Sequence, residues 1–433
     1  MKAIRVGLLG LGTVGSGVVK IIQDHQDKLT HQVGCPVTIQ KALVKDKDKK
    51  RDVELPKEVL TTEAYDVIED PEVDVIIEVI GGIEQTRRYL LDALHAKKHV
   101  VTANKDLIAL YGSELLAAAK ENGCDLYFEA SVAGGIPILR SLEDGLASDR
   151  ITKMMGIVNG TTNFILTKMN KENAPYDDVL KEAQRLGFAE ADPTADVEGL
   201  DAARKMAILA RLGFSMNVDL DDVKVKGISQ VSDEDINFSK RLGYIMKLIG
   251  IAQRDGQKVE VSVQPTLLPE HHPLSSVHNE FNAVYVYGEA VGETMFYGPG
   301  AGSMPTATAV VSDLVSVMKN MRLGVNGSSF VDPQFEKKMK APAEIFAQQF
   351  LRIHVKDQVG SFSKITSIFS ERGVSFEKIL QLPIKDHDDL AEIVIVTHHT
   401  SEEDFTDILQ KLNDLEVVQQ VKSTYRVEGN GWS

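Results

Sequence analysis

Short apolar runs alternate with helix-periodic segments along the first part of the chain. Ile4–Leu9 predicts a buried strand, and the apolar spacing from about Gly15 to Gln23 predicts a helix. Strands that alternate with helices predict an α/β domain with a doubly wound, parallel, Rossmann-like sheet. The further elements predicted here are the strands Val37–Val44, Val73–Ile80, His99–Thr102 and Asp125–Glu129, and the helices Glu84–Ala96 and Gly112–Asn122.

The pattern changes after Glu129 and changes again at Phe350. The middle part mixes helices and strands without regular alternation, which predicts an α+β domain. From Phe350 to Val427 the order is strand, helix, strand, strand, helix, strand, which predicts a ferredoxin-like module. The main elements predicted for the middle part are the helices Asp233–Ile249 and Thr306–Asn320, and the strands Ile151–Val158, Val259–Pro265 and Ala283–Val291.

Charge and cysteine content restrict the classes of partner. The net charge of −15 and the pI of about 5.3 argue against a nucleic-acid or anionic-membrane partner, because both need basic faces. The two cysteines, Cys35 and Cys124, have no metal-binding spacing, which favours a reducing cytoplasm. We read the apolar N-terminus as a strand and not a signal peptide, and no uncharged apolar run is long enough to span a membrane.

A glycine motif follows the first predicted strand. Gly10, Gly12 and Gly15 form G-x-G-x-x-G between strand and helix, the context that dinucleotide binding requires. Other strands of a parallel sheet end at the same edge, so the residues after them also face the cofactor. The candidate cofactor-binding residues are therefore Gly10, Leu11, Gly12, Thr13, Val14, Gly15, Gly81, Thr102, Ala103 and Lys105.

The second predicted strand indicates which dinucleotide is preferred. Enzymes that prefer NAD usually carry an acid after this strand, to bind the ribose 2′-hydroxyl. Here the strand ends at Val44 and is followed by Lys45, with Lys47, Lys49 and Arg51 close behind. Basic residues at this point favour the 2′-phosphate of NADP, while NAD stays possible.

An acidic stretch, Leu186–Lys205, lies in the middle part. Asp201 and Lys205 are four residues apart, so on a helix they share one face. The alternative is a solvated acidic loop with ordinary charges at a helix N-terminus. The carboxylates of the stretch are Glu190, Asp192, Asp196, Glu198 and Asp201.

A second glycine-rich loop, Gly298–Pro305, precedes the predicted helix Thr306–Asn320. We expect this helix to return to the first domain, so that the loop faces the cofactor from its other side. The alternative is an interdomain linker.

Together these motifs resemble the homoserine dehydrogenase family over essentially the full length, and the C-terminal module resembles an ACT domain, a regulatory amino-acid-binding unit. The resemblance implies a dinucleotide-binding domain at 1–130 with 303–325 returning to it, a catalytic and oligomerisation domain at 131–302, a linker at 326–345 and an ACT domain at 346–433. The motifs that carry it are GLGTVG at Gly10–Gly15, TANK at Thr102–Lys105, EASVAGGIP at Glu129–Pro137, GIVNGTTN at Gly156–Asn163, GFAEADPTADVEGLDAARK at Gly187–Lys205 and GPGAGSMPTA at Gly298–Ala307.

The family interconverts L-homoserine and L-aspartate 4-semialdehyde in threonine and methionine biosynthesis. The resemblance implies that Lys105 and Lys205 are the active-site lysines, and we expect Lys205 to carry the proton while Lys105 orients the substrate. Which of the two carries the proton is left open. The resemblance further implies substrate contacts at Glu190 and Asp201, to which we add Asp196 and Thr161. It implies a site for a monovalent cation, such as sodium, at Glu129, Val132, Gly134 and Ile136. It also implies contacts with the nicotinamide end of the cofactor at Gly187 and Gly302.

The chain departs from the family pattern at two positions, and two other functions are weighed against it. Phe188 stands where relatives often carry tyrosine, and Val359 replaces the proline of the usual ACT loop, so binding of threonine as effector stays open. A non-catalytic amino-acid sensor is the alternative function, whereas a semialdehyde dehydrogenase would need a nucleophilic cysteine that neither Cys35 nor Cys124 resembles. We expect a homo-oligomer, a dimer or a tetramer.

Overall fold

The computed structural model describes residues 3–327, 332–384 and 387–429. Residues 328–331 of the predicted linker, and residues 385–386 and 430–433 of the predicted C-terminal module, lie outside the described residues. Two compact units form: Met1–Met154 with Ala203–Val223 and Asn282–Lys337, and Met155–Ala202 with Lys224–Phe281 and Lys338–Ser433. Among the described residues, none of the helices is long and apolar enough to cross a membrane.

The strands in chain order are β1 (Ile4–Leu9), β2 (Val37–Leu43), β3 (Leu60–Thr61), β4 (Val75–Glu78), β5 (His99–Thr102), β6 (Leu126–Tyr127), β7 (Ile151–Ile157), β8 (Lys224–Val225), β9 (Tyr244–Asp255), β10 (Lys258–Pro269), β11 (Phe281–Gly288), β12 (Gly292–Pro299), β13 (Phe346–Lys356), β14 (Phe376–Ile384), β15 (His387–Thr397), β16 (Thr400–Ser401) and β17 (Val418–Val427). The helices are α1 (Thr13–Asp24), α2 (Gln26–Val33), α3 (Tyr65–Ile68), α4 (Glu84–His95), α5 (Lys105–Asn122), α6 (Ile138–Arg140), α7 (Gly160–Glu172), α8 (Tyr176–Leu186), α9 (Thr194–Val197), α10 (Leu200–Gly213), α11 (Asp233–Arg241), α12 (Ser303–Leu323), α13 (Ser361–Glu371) and α14 (Glu402–Asp414).

The first unit contains a parallel sheet in the order β3-β2-β1-β4-β5-β6. β1 lies between β2 and β4, with Ile4 opposite Val37 and Val6 opposite Val75. The strand order reverses beside β1, and ligands bind at that point in folds of this kind. One face of the sheet packs against α1, α2 and α12 through fully buried side chains such as Val18. This order confirms the predicted Rossmann-like domain.

The second unit contains a long antiparallel hairpin of β9 and β10 and the C-terminal module. The module's strands run antiparallel in the order β17-β13-β15-β14, and α13 and α14 pack on them through a core that includes Ile365 and Ile408. This confirms the ferredoxin-like prediction. β17 also pairs in parallel with β10, with Thr266 opposite Arg426, so the module's sheet joins the hairpin edge to edge.

One element prediction is wrong and one is shifted. The predicted helix Asp233–Ile249 ends at Arg241, and Gly243, with a φ of +81°, turns the chain into β9. The apolar run of β9 is buried, and a buried strand has the same periodicity as a buried helix. α5 begins at Lys105 and not at Gly112, because the Asn104 side chain accepts a hydrogen bond from the amide of Leu107 and caps the helix there.

Candidate active site

The glycine loop of the first unit leaves an open space at the start of α1. A side chain on Gly15 would lie 2.1 Å from the carbonyl oxygen of Gly10, so the helix approaches the loop as closely as glycine allows. A side chain on Gly12 would meet no heavy atom within 4 Å. Gly12 precedes α1, whose first amides are free to bind an anion. The loop thus fits a pyrophosphate, with Leu11, Thr13 and Val14 in the same turn.

A buried carboxylate joins the ends of β4 and β5. Glu78 Oε2 accepts a hydrogen bond from the hydroxyl of Thr102 at 2.5 Å, and Oε1 accepts from the amides of Ile80 and Gly81 at 2.8 and 3.0 Å. Burial raises the pKa of Glu78, while these donors favour the carboxylate. Glu78 therefore shapes the strand ends on which Gly81, Thr102 and Ala103 lie. This role of Glu78 was not predicted, although a carboxylate at the end of an apolar strand is a signal that sequence alone offers.

The two lysines lie on helices that are joined by an ion pair. Lys105 is the first residue of α5, and Lys205 lies on α10 with 9% of its surface exposed. Their chain neighbours Asp106 and Arg204 pair, with 2.9 Å between Oδ1 and Nε. Arg211 also donates to the carbonyl of Ile108 at 3.3 Å. The start of α5 and the body of α10 therefore lie side by side in the first unit.

An amide links two of the predicted substrate carboxylates in the second unit. Asn159 Nδ2 donates to Asp196 Oδ1 at 2.7 Å and to Asp201 Oδ2 at 2.8 Å. The hydroxyl of Thr161 lies 2.6 Å from the carbonyl oxygen of Phe188 and 3.1 Å from Asp196 Oδ2. Asp196, Asp201 and Thr161 are thus brought together around the N-terminus of α7. Asn159 was not predicted, although asparagine before a helix is a typical capping residue.

The other predicted substrate and nicotinamide contacts lie on exposed turns. Gly187 ends α8 with a φ of +81°, and Glu190 follows it with an exposed side chain. Phe188 packs on Phe164, with ring centroids 4.7 Å apart. Gly302, with a φ of +119°, precedes α12 in the first unit.

Arg51 connects the segment after β2 to the glycine loop. Its guanidinium donates to the carbonyls of Asp46 at 2.6 Å, Lys49 at 2.8 Å and Leu11 at 3.3 Å. Leu11 belongs to the glycine loop, so Arg51 joins that loop to the segment after β2. Lys45 is exposed at the end of β2. The guanidinium is thus held beside the glycine loop, a contact that could not be predicted from the sequence.

The loop predicted to bind a monovalent cation turns sharply. Ala133 and Gly134 have φ values of +54° and +52°, and the carboxylate of Glu129 accepts the amides of Leu139 and Arg140 at 2.8 Å each. Both oxygens of the Glu129 side chain therefore accept hydrogen bonds from the backbone. The oxygen ligands for a cation would then be backbone carbonyls of the loop, such as those of Val132 and Gly134. Hard cations prefer oxygen ligands, so a cation at this loop would have to be bound by these carbonyls. In the described parts of the chain, no cluster of three acidic, histidine or cysteine side chains could hold a metal.

The cation loop and the second glycine-rich loop approach each other closely. A side chain on Gly134 would lie 2.4 Å from the carbonyl oxygen of Gly300. α12 then packs against α1: a side chain on Gly17 would lie 2.8 Å from the carbonyl oxygen of Ser303, whose hydroxyl donates to the carbonyl of Thr13 at 2.7 Å. The residues after Gly302 therefore contact the helix that starts at the cofactor loop.

Three family models match the chain. Residues 10–129 match the NAD-binding domain of homoserine dehydrogenase, residues 137–315 match homoserine dehydrogenase, and residues 350–417 match the ACT domain.

Full-length relatives agree with these matches. The chain is 86% identical to the homoserine dehydrogenase of Bacillus subtilis (strain 168) over 433 residues, which is 100% of both chains. A crystal structure of a homoserine dehydrogenase from Thiobacillus denitrificans is 40% identical, with a TM-score of 0.93 over 100% of this chain and 99% of that one. A hyperthermophilic archaeal homoserine dehydrogenase in complex with NADPH is 26% identical, with a TM-score of 0.62 over 77% of this chain and 100% of that one.

Proposed function

The chain belongs to the homoserine dehydrogenase family, and from that premise we propose that it interconverts L-homoserine and L-aspartate 4-semialdehyde in the cytoplasm, with NADP as the preferred cofactor. The observation that carries the proposal is a buried lysine, Lys205, on a helix that is ion-paired to the start of α5, where Lys105 lies. When bound, the cofactor accepts the hydride from the alcohol carbon.

Lys205 is the proposed proton carrier. Oxidation of an alcohol releases the hydroxyl proton, which needs an acceptor within hydrogen-bond reach. Lys205 suits this role because it is buried on a helix that is ion-paired to the start of α5. Lys105 orients the substrate oxygen, while Glu190 and Asp201 bind the α-ammonium group.

The preference for NADP rests on Arg51 and Lys45. Three of the five N–H groups of Arg51 are used by carbonyls, so two are left for a phosphate, and a guanidinium recognises phosphate with a planar pair of donors. The archaeal relative in complex with NADPH supports the same cofactor. The family's cation site is proposed at the backbone of Glu129, Val132, Gly134 and Ile136, where Ala133 and Gly134 turn the loop sharply.

Regulation by threonine is proposed to act through the ACT module. Asp235 of α11 accepts hydrogen bonds from Arg352 Nη1 at 2.6 Å, from Ser423 Oγ at 2.5 Å and from the Tyr425 hydroxyl at 2.8 Å. This buried network joins β13 and β17 of the module to a helix of the rest of the unit, which supports transmission of an effector signal. The effector loop proposed is Asp357–Gly360, where Gly360 has a φ of +89°.

We also propose a homo-oligomer. β14 ends the sheet of the module within the described residues, and Ile379 on it is 45% exposed. An unprotected edge strand with apolar side chains favours pairing with another copy. Light scattering coupled to gel filtration measures the assembly, and a monomer at micromolar concentration would contradict it.

Steady-state kinetics test the proposed function. Homoserine oxidation is measured with NADP and with NAD, with sodium or a bulky organic cation, and with and without threonine. We expect a higher kcat/KM with NADP, stimulation by sodium and inhibition by threonine. Binding of homoserine and threonine without any cofactor reduction would instead favour the amino-acid sensor.

A further inference from the structure

The side-chain amide of Asn159 donates hydrogen bonds to two carboxylates. Its Nδ2 lies 2.7 Å from Asp196 Oδ1 and 2.8 Å from Asp201 Oδ2, and its side chain is buried. An amide nitrogen has two hydrogens, so each carboxylate receives one. The two acceptor oxygens can then be no further apart than about 5.5 Å, the combined length of the two bonds. Two negative charges at that separation repel each other, and the shared amide opposes the repulsion without adding charge.

The orientation of this amide is fixed from its other end. Asn159 Oδ1 accepts hydrogen bonds from the amide and from the hydroxyl of Thr162, both at 2.9 Å. A flipped side chain would turn the oxygen toward two carboxylates and the NH₂ group toward the amide of Thr162, so the flipped orientation is excluded. Since Asn159 also caps α7, the backbone of that helix determines where the two hydrogens point.

We infer that Asn159 is a positioning residue for the substrate: it holds Asp196 and Asp201 side by side so that the two carboxylates together bind one ammonium group. The inference rests on the proposed function, because it requires an amino-acid substrate. It predicts selectivity for the charged amine, since a neutral alcohol gains nothing from a carboxylate pair. Asn159 itself touches the carboxylates and not the substrate.

The test separates this role from helix capping. Serine is as good an N-cap as asparagine but has a single hydroxyl hydrogen, so Asn159→Ser keeps the cap and cannot bridge both carboxylates. We expect N159S to raise the KM for homoserine at least about tenfold, the effect of one lost charge-assisted hydrogen bond, with the KM for NADP changed less than about twofold. Asn159→Asp keeps the cap and the shape but repels both carboxylates, so its KM for homoserine should rise further.

One control variant separates damage to α7 from loss of the carboxylate pair. Asn170 is a buried asparagine on α7 whose Nδ2 donates to the carbonyls of Leu166 and Met246 and whose Oδ1 accepts from the amide of Met246, so Asn170→Ala reports general damage to α7. N170A should lower the melting temperature and leave the ratio of the two KM values unchanged.

Three results would overturn the inference. One is a wild-type KM for homoserine in N159S, and another is a lowered KM in N159D, which would mean that charge alone attracts the substrate. The third comes from a crystal structure of N159S: we expect the Asp196 and Asp201 oxygens to separate, and an unchanged separation would refute the role even if another amino acid proved to be the substrate. Absence of homoserine oxidation in the wild type would count against the proposed function instead.

Discussion

Replacing Arg51 by glutamine should change cofactor selectivity more than catalysis. Glutamine keeps a donor for one of the three carbonyls that fix the side chain but removes the positive charge. A hydrogen bond to a charged group is worth about 1.5–3 kcal/mol, which corresponds to a factor of about 10–150 in affinity. We therefore expect kcat/KM for NADP to fall by that factor, while kcat/KM for NAD falls less than about threefold.

The assay measures kcat/KM with both cofactors and the inhibition constants of 2′,5′-ADP and 5′-AMP, which differ by the 2′-phosphate alone. R51Q should raise the inhibition constant of 2′,5′-ADP by the same factor and leave the inhibition constant of 5′-AMP unchanged. Arg51→Lys keeps the charge without the planar pair of donors, so its kcat/KM for NADP should lie between those of the wild type and R51Q. Lys49→Ala removes a neighbouring positive charge but keeps the backbone carbonyl that Arg51 contacts, so its effect measures what the charge of the segment contributes by itself. An equal loss for NADP and NAD would show that Arg51 only holds the loop together, and the reasoning would be refuted.

Three further variants test other parts of the structure. Lys205→Met should lower kcat by about 10²–10⁴ with little change in NADP binding, and a change confined to the KM for homoserine would exclude proton transfer. Burial lowers the pKa of Lys247 to about 7. In the unfolded chain the pKa of a lysine is about 10.4, so the unfolded state binds more protons than the folded state between about pH 10.4 and pH 7, and Lys247 destabilises the fold as the pH falls through this range. Between pH 9 and pH 7 the wild type should lose about 2–3 kcal/mol of unfolding free energy relative to Lys247→Met, measured by urea titration. Parallel stability profiles of the two proteins would contradict this. Asp235→Asn removes one of the two carboxylate partners of the buried Arg352 and should lower the unfolding free energy by about 3 kcal/mol. The loss should not be larger, because Glu392 still pairs with Arg352. A loss below about 1 kcal/mol would show that the network contributes little.

The fold could be predicted from the sequence where local signals and burial agree. The glycine motif, the apolar β1 and the alternation of elements are sufficient for the parallel sheet, and the βαββαβ order is sufficient for the C-terminal module. The prediction failed at Tyr244–Ile249, where an apolar run follows a helix. The deciding feature is the left-handed Gly243, which ends the chain's helical path and which periodicity does not detect.

The site was less predictable, because its geometry depends on partners distant in sequence. Asn159 meets Asp201 across 42 positions, and Arg51 meets Leu11 across 40. Glu78 is read from sequence as an interruption of an apolar strand, yet its burial beside Thr102 makes it the link between two strand ends. Motifs identify residue types and their order, whereas only the folded chain determines which polar groups share a hydrogen bond.

The acidic stretch Leu186–Lys205 shows why charge alone does not assign a role. Asp192 accepts the amide and the hydroxyl of Thr194, a local turn that lowers its pKa, so its carboxylate shapes the loop. Asp196 and Asp201 accept from the single amide of Asn159, so they form a pair of defined separation. Glu190 has an exposed side chain, which suits its proposed role as a substrate contact. Residues that look alike in the sequence are therefore distinguished by their donors, and a neutral amide determines which two of them act together.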